Sequence, residues 1–162
     1  MMLRRALGVV AMLAVALWLG GLVALGALVA PVIFSQVSMP WSADAMTVVF
    51  QRFDLVAMSC AAVLLVTEAV RALARVPFGR VDHLRAGVSV LAAAAAVYEG
   101  ASVSPRIAML HAEGAIRGLG SAGMELAKLH SRAELLGKME VALLVVVVVL
   151  QGVTVTRAPE QG

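Results

Sequence analysis

Long uncharged stretches alternate with short polar ones along this chain, and their spacing sets the first expectation. Between Arg5 and Asp44 lie 38 residues without a formal charge, nearly twice the roughly 20 that cross a bilayer core. Further apolar runs occupy residues 53–74, 85–104 and 134–156, each long enough for a helical span. With a first span over residues 7–34, the pattern predicts one all-α domain over residues 1–162. Its architecture is an integral membrane four-helix bundle with a short helical outer loop between spans three and four.

The punctuation between the runs refines this picture. Met46, Val49, Phe50 and Phe53 recur at helical spacing, which predicts that Ser42 to Arg52 lies as a helix on the membrane surface before span two. Ser104-Pro105 is a helix-start pair, so span three is expected to end or kink there, with a short helix from Pro105 to about Arg117. GLGSAG at 118–123 breaks that helix. Ser131 and Glu134 have capping-box spacing that would open span four, and Arg157 and Pro159 would close it. No repeat with a period of 20–50 residues is visible.

The first run needs separate treatment, because Arg4 and Arg5 ahead of an apolar stretch have the form of a secretory signal. A cleavable core has about 7–15 apolar residues, whereas this run continues from Ala6 through Phe34, with Pro31 directly after the small Ala30. An uncleaved span is the expectation. Ala16, Gly20, Ala24, Ala27 and Pro31 fall on one stripe of it, and in span three Ala92, Ala96, Gly100 and Ser104 recur every fourth residue. Small residues let helices approach closely, which makes Gly20, Ala24, Ala92, Ala96 and Gly100 candidate packing positions.

Composition agrees with a lipid environment. The chain is 62% hydrophobic and 14% charged, against roughly 45–50% and ~25% in soluble domains. Its mean hydropathy is +0.97. The single cysteine, Cys60, has no partner for an internal disulfide, and no zinc-type spacing exists. The net charge of +3 sits mostly in the short segments between apolar runs, which suits anionic lipid headgroups and not nucleic acid. With the N-terminus inside, the inner segments hold Arg4, Arg5, Arg71, Arg75, Arg80, Arg85 and Arg157. The outer ones hold Arg52, Arg106, Arg117, Lys128 and Arg132. That bias favours both termini in the cytoplasm, and richness in alanine, valine and arginine points to a bacterial inner membrane.

Four acids interrupt the apolar runs: Asp54, Glu68, Glu99 and Glu140. A charge at mid-bilayer costs about 2.5–3.5 kcal/mol on insertion scales, so each needs a partner, water or a place near the interface. Asp54 and Glu68 share a helix face with Ala57 and Ala61, which should look into the bundle. Glu99 lies beside the small-residue seam of span three. Glu140 shares a face with Gln151 and has no partner in its own helix, whereas Glu134 and Lys138 form an i, i+4 pair.

On the favoured topology Asp54, Glu99 and Glu140 occupy the outer half of the bilayer near Arg52, Arg106, His130 and Lys138, and Glu68 lies near the inner surface within reach of Arg71. Two readings follow. Asp54, Glu99, Arg106, His130 and Glu140 form a polar pocket open to the outside that binds a cation or relays protons, or the acids form interhelical salt bridges with outer residues snorkelling to water. His111, His130 and nine methionines lack an MxxM or HxxxH array, so no metal and no cofactor is expected. His83 is expected to face solvent, Trp41 and Tyr98 to be interfacial, and Trp18 to pack within span one. GxSxG, HExxH and GxxxxGK[ST] are absent from the sequence, and the chain is not expected to be an enzyme.

The ordered landmarks WLGG at 18–21, APVIF at 30–34, QRFD at 51–54, SPRIAML at 104–110 and LH at 129–130 resemble those of the transmembrane protein 205-like family, domain of unknown function 4149. The resemblance covers nearly the whole chain and matches Trp18, Gly20, Gly21, Pro31, Phe34, Asp54, Pro105, Arg106 and His130. It departs from the family pattern in SADAMTVVF before the QRFD landmark and in HSRAELL after the loop histidine. It implies a small four-span membrane protein with no established biochemical activity. The functional expectations are therefore two. One is a transport- or permeability-related protein using the outer-half pocket. The other is a non-catalytic assembly protein whose small-residue faces bind a second copy or another membrane subunit.

Overall fold

The computed structural model describes residues 2–74 and 79–156. Its helices form four rods. The first joins α1 (Met2–Ala24), a π turn (Leu25–Val29) and α2 (Ala30–Gln36). The second is α3 (Trp41–Leu73). The third joins α4 (Arg80–Tyr98), a π turn (Glu99–Val103) and α5 (Ser104–Ala112), and the fourth is α6 (Gly120–Thr156). Three of the rods, Arg5–Gln36, Trp41–Leu73 and Arg80–Ala112, are long and apolar enough to cross a membrane, and α6 carries the remaining apolar run. The protein is an all-α, integral membrane helical bundle. Around the ring, α1 and α4 each pack closely on both α3 and α6, while the backbones of the diagonal pairs α1/α4 and α3/α6 stay apart among the described residues and meet only through side chains.

Several boundaries differ from the sequence expectation, each for a local reason. Residues 42–52 do not form a separate surface helix, because nothing between Trp41 and Leu73 breaks the rod: the stretch holds neither glycine nor proline, and Ser42 and Met46 are buried. Span three does not end at Ser104-Pro105. Proline lacks an N–H and its ring meets the carbonyl four residues back, and here the preceding turn widens: Ser104 N–H donates to the Glu99 carbonyl, five residues back. Pro31 shows the same device, with Ala30 N–H donating to the Leu25 carbonyl. The third rod then stops at Ala112, short of Arg117. The fourth begins at Gly120, ahead of the proposed capping box, and Ser131 Oγ bonds back to the Ala127 carbonyl at 3.1 Å instead of capping. The real break is glycine chemistry, since Gly114, Gly118 and Gly120 have φ of 77°, 83° and 65°. Arg75, Arg157 and Pro159, like the side chain of Arg4, lie outside the described residues.

The two prolines belong to a repeat that is longer than the periods first considered. GALVAPVI at 26–33 and GASVSPRI at 100–107 agree at glycine, alanine, valine, proline and isoleucine. In the helix that follows each, Arg52-Phe53-Asp54 corresponds to Lys138-Met139-Glu140. The packing repeats too, with α1 on α3 matching α4 on α6, and α3 on α4 matching α6 on α1. This is the arrangement of two helix pairs related by a pseudo-two-fold axis. The symmetry is broken at one end: α5 packs on both α3 and α6, whereas α2 packs on α3 but not on α6.

The core explains the packing faces. Ala11, Val15 and Trp18 of α1 meet Ala57, Ala61 and Leu64 of α3, Ala92 and Ala96 of α4, and Leu144 and Val147 of α6. Val103, Ile107 and Leu110 pin α5 and its π turn to Leu126 and Leu129 of α6. The small stripe of span one is not the packed face: Ala16, Gly20, Ala27 and Pro31 are exposed, Ala24 is half-buried, and a Cβ at Gly20 would meet nothing. Trp18 and its apolar neighbours, with more area to bury, take the inside instead. The close approach comes one residue later, at Gly21, where a Cβ would overlap the Phe53 ring. In the third rod Ala92 and Ala96 are buried, and a Cβ at Gly100 would lie 3.2 Å from Asp54 Cβ and Met58.

Candidate functional site

A cavity of about 1080 Å³ occupies the end of the bundle that holds α2 and α5. Asp54 of α3, Glu99 of the second π turn and Glu140 of α6 line it, together with His130. Each carboxyl is placed by a different device. Asp54, half-buried, lines the cavity on the same side of α3 as Ala57 and Ala61, with Ser104 beside it in the lining. Glu99 sits at the start of the widened turn that Pro105 requires. Glu140 is buried and accepts a 3.0 Å hydrogen bond at Oε2 from the indole Nε1–H of Trp18. Trp18 is thus a polar partner as well as a packing residue.

The remaining oxygens define the chemistry. Glu140 Oε1 and Asp54 Oδ2 are buried without a donor. The Glu99 and Glu140 carboxyls are neighbours in the cavity, near enough to act on one another electrostatically. Among the described residues none of the three carboxyls forms an ion pair. Arg106 does not join them. Its guanidinium forks onto Glu125 at 2.7 and 2.9 Å, bracing α5 against α6, and holds the Glu125 carboxyl below its ordinary range.

Basic and aromatic groups form the rim. His111 and His130 stack edge to face with ring centroids 5.8 Å apart. Burial, then the charges of Arg117 and His111, holds His130 below the ordinary imidazole value and favours its neutral form. Lys138 Nζ bonds Glu134 at 2.7 Å on the exposed surface. Among the described residues no three His, Cys, Asp or Glu side chains are grouped so as to hold a metal ion.

The opposite end is closed by a second polar cluster, of which only the Glu68–Arg71 pair is visible in the sequence. Arg85 of α4 donates through Nε and Nη2 to the two oxygens of Glu68 on α3, both at 2.9 Å. Its Nη1 reaches Asp82 at 2.9 Å and Thr154 at 3.2 Å. Arg71 adds a 2.8 Å bond to Glu68 and one of 3.5 Å to Gln151, whose amide donates to the Gly8 carbonyl at 3.2 Å. All four rods are tied there. The available signal was Gln151 on the Glu140 face; what it contacts depends on α1 and α3, which periodicity within one helix does not report.

The chain matches the family described as Domain of unknown function (DUF4149) over residues 13–115, well over half of its length. No curated protein and no solved structure matches it.

Proposed function

The chain belongs to the DUF4149 family, and from that premise we propose that it is a transport- or permeability-related membrane protein working through the carboxyl-lined cavity. Within the family we take it as transmembrane protein 205-like, on the ordered landmarks from WLGG to SPRIAML. One observation carries the functional reading: three acids from three rods line one cavity, with two buried oxygens left without donors and no ion pair to neutralise them. A purely structural role would be expected to resemble the Glu68 cluster, where every acid is matched by an arginine. On this reading the protein is not an enzyme, and it uses no nucleic acid partner. It resides in a bacterial inner membrane with both termini in the cytoplasm, so that the cavity opens outward and the Glu68 cluster seals the inner side. The test is proton or cation flux in proteoliposomes. Glu99→Gln or Glu140→Gln is expected to abolish pH-dependent flux while the protein still inserts; unchanged flux would count against the reading.

A second reading is favoured by the outward stripe of Ala16, Gly20, Ala27 and Pro31, which is exposed among the described residues. It has the smoothness of a face that another membrane helix approaches closely. On this reading Gly20→Leu, which meets nothing inside the chain, dissociates a detergent-stable complex. An unchanged assembly size on cross-linking would remove its basis.

A further inference from the structure

The cavity separates its polar and apolar parts. Asp54 Oδ2 and Glu140 Oε1 supply acceptors without donors, and Glu140 is only 2% exposed. Most of the lining is apolar, with Leu22, Phe34, Phe53 and Val141 among the walls. Arg106 is engaged with Glu125, Lys138 with Glu134, and Arg71 and Arg85 with Glu68, while Arg117, which also lines the cavity, forms no ion pair with the three acids. An acid at membrane depth calls for a counter-charge, and among the described residues none of the three is ion-paired, with room beside them for a further cation. The volume of about 1080 Å³ lies just above the roughly 300–1,000 Å³ that hold small organic ligands, and far exceeds what a hydrated inorganic ion requires.

The broken pseudo-symmetry supplies a route. Gly26 and Phe34 on one side and Gly137 and Val141 on the other line the same cavity, yet among the described residues the backbones of α2 and its π turn do not approach α6 closely. Cβ atoms at Gly26 and Gly137 would both meet open space. A gap between two rods that are neighbours around the ring would open on the flank of the bundle, the side that lipid covers in a membrane.

Resting on the pocket reading above, we infer that this cavity takes an amphipathic amine in its protonated form. Its N–H groups donate to Asp54 and Glu140, its apolar body fills the walls, and it arrives sideways from the bilayer between α2 and α6. The unsatisfied acceptors separate this class from its neighbours. A quaternary ammonium brings charge without a donor, and an alcohol brings a donor without charge.

The experiment compares 4-phenylbutylamine, its trimethylammonium analogue and 4-phenylbutanol by calorimetry on the full chain in phosphatidylcholine nanodiscs near neutral pH, with empty nanodiscs subtracted. Saturable binding of one amine per chain is expected, at least about tenfold tighter than either analogue. Asp54→Asn and Glu140→Gln should each weaken the amine by about tenfold or more while leaving the alcohol unchanged. Gly137→Leu, which fills the gap, should slow association without that selectivity being lost. Equal binding of amine and alcohol, or amine binding indifferent to both carboxyl variants, overturns the proposal. If the amine fails to bind while Glu99→Gln still abolishes proton flux, the amine falls and the pocket reading stands; if both tests fail, both fall.

Discussion

Trp18 and Glu140 meet across α1 and α6 in a setting where both are buried, so the indole N–H has no ready replacement. Trp18→Phe keeps most of the apolar bulk and removes the donor. It should cost about 1.5–3 kcal/mol, the range for a hydrogen bond to a charged group. Chemical unfolding in detergent micelles of Trp18→Phe, Glu140→Gln and the double variant reads this directly; additive effects would mean the bond contributes nothing. His130 makes a second prediction at this scale. Its folded pKa lies below the ordinary 6.5 because of burial and the Arg117 and His111 charges, so the unfolded chain takes up the proton first as pH falls. The contribution of His130 to stability is full above about 6.5 and is lost on acidification below it. Thermal unfolding between neutral and mildly acidic pH should show this loss, and His130→Gln should flatten it. The acids themselves were legible from sequence, since an Asp or Glu in an apolar run is conspicuous by its insertion cost. What each one touches was not, because Trp18 and Glu140 are 122 residues apart.

At the scale of elements, the rods depend on features that helix periodicity does not reveal. Ser104-Pro105 reads as a helix start, and the chain instead absorbs the proline in a widened turn that carries Glu99 to the cavity. The apolar runs located the rods well because length and charge depletion are properties of one segment. The joins were misplaced because a cap signal such as Ser131 to Glu134 competes with helix continuation, and continuation wins where neighbouring rods pack along the whole length. The small stripe of α1 does not face the bundle for a related reason: small size marks where a helix can approach, whereas burial within the chain goes to the face with the most area to hide. The ionic tie among α3, α4 and α6 lends itself to a test. Arg85 is 2% exposed and binds both oxygens of Glu68, so Arg85→Met leaves that buried carboxylate with Arg71 as its remaining partner. A loss of up to about 3 kcal/mol is expected, the low end of the range for breaking a buried pair, with Glu68→Gln in the same background restoring part of it. If Arg85→Met alone leaves the unfolding midpoint in place, the cluster is not what ties the rods together.

For the whole molecule, the two ends of the bundle are unlike in a way that the pseudo-two-fold repeat alone would not produce. The end with α2 and α5 is hollow and lined by unpaired acids, while the end with Gly8, Glu68, Arg85 and Gln151 is filled by matched charges and amides. Between them lies the packed layer of Trp18, Ala57, Ala61, Leu64 and Ala92. A bundle hollow at one end only is accessible to water from one side only. Thiol chemistry can read this, because the single native cysteine, Cys60, is buried in that layer and can be replaced by alanine to give a silent background. In that background Asp54→Cys should react with a membrane-impermeant methanethiosulfonate added outside intact cells, and should be slow to react in inside-out vesicles. Ser89→Cys, in place of a fully buried hydroxyl one turn beyond Arg85, should stay unreactive from both sides. Asp54→Cys reacting only in inside-out vesicles would invert the proposed topology, and equal reaction from both sides would show that the charged end does not seal.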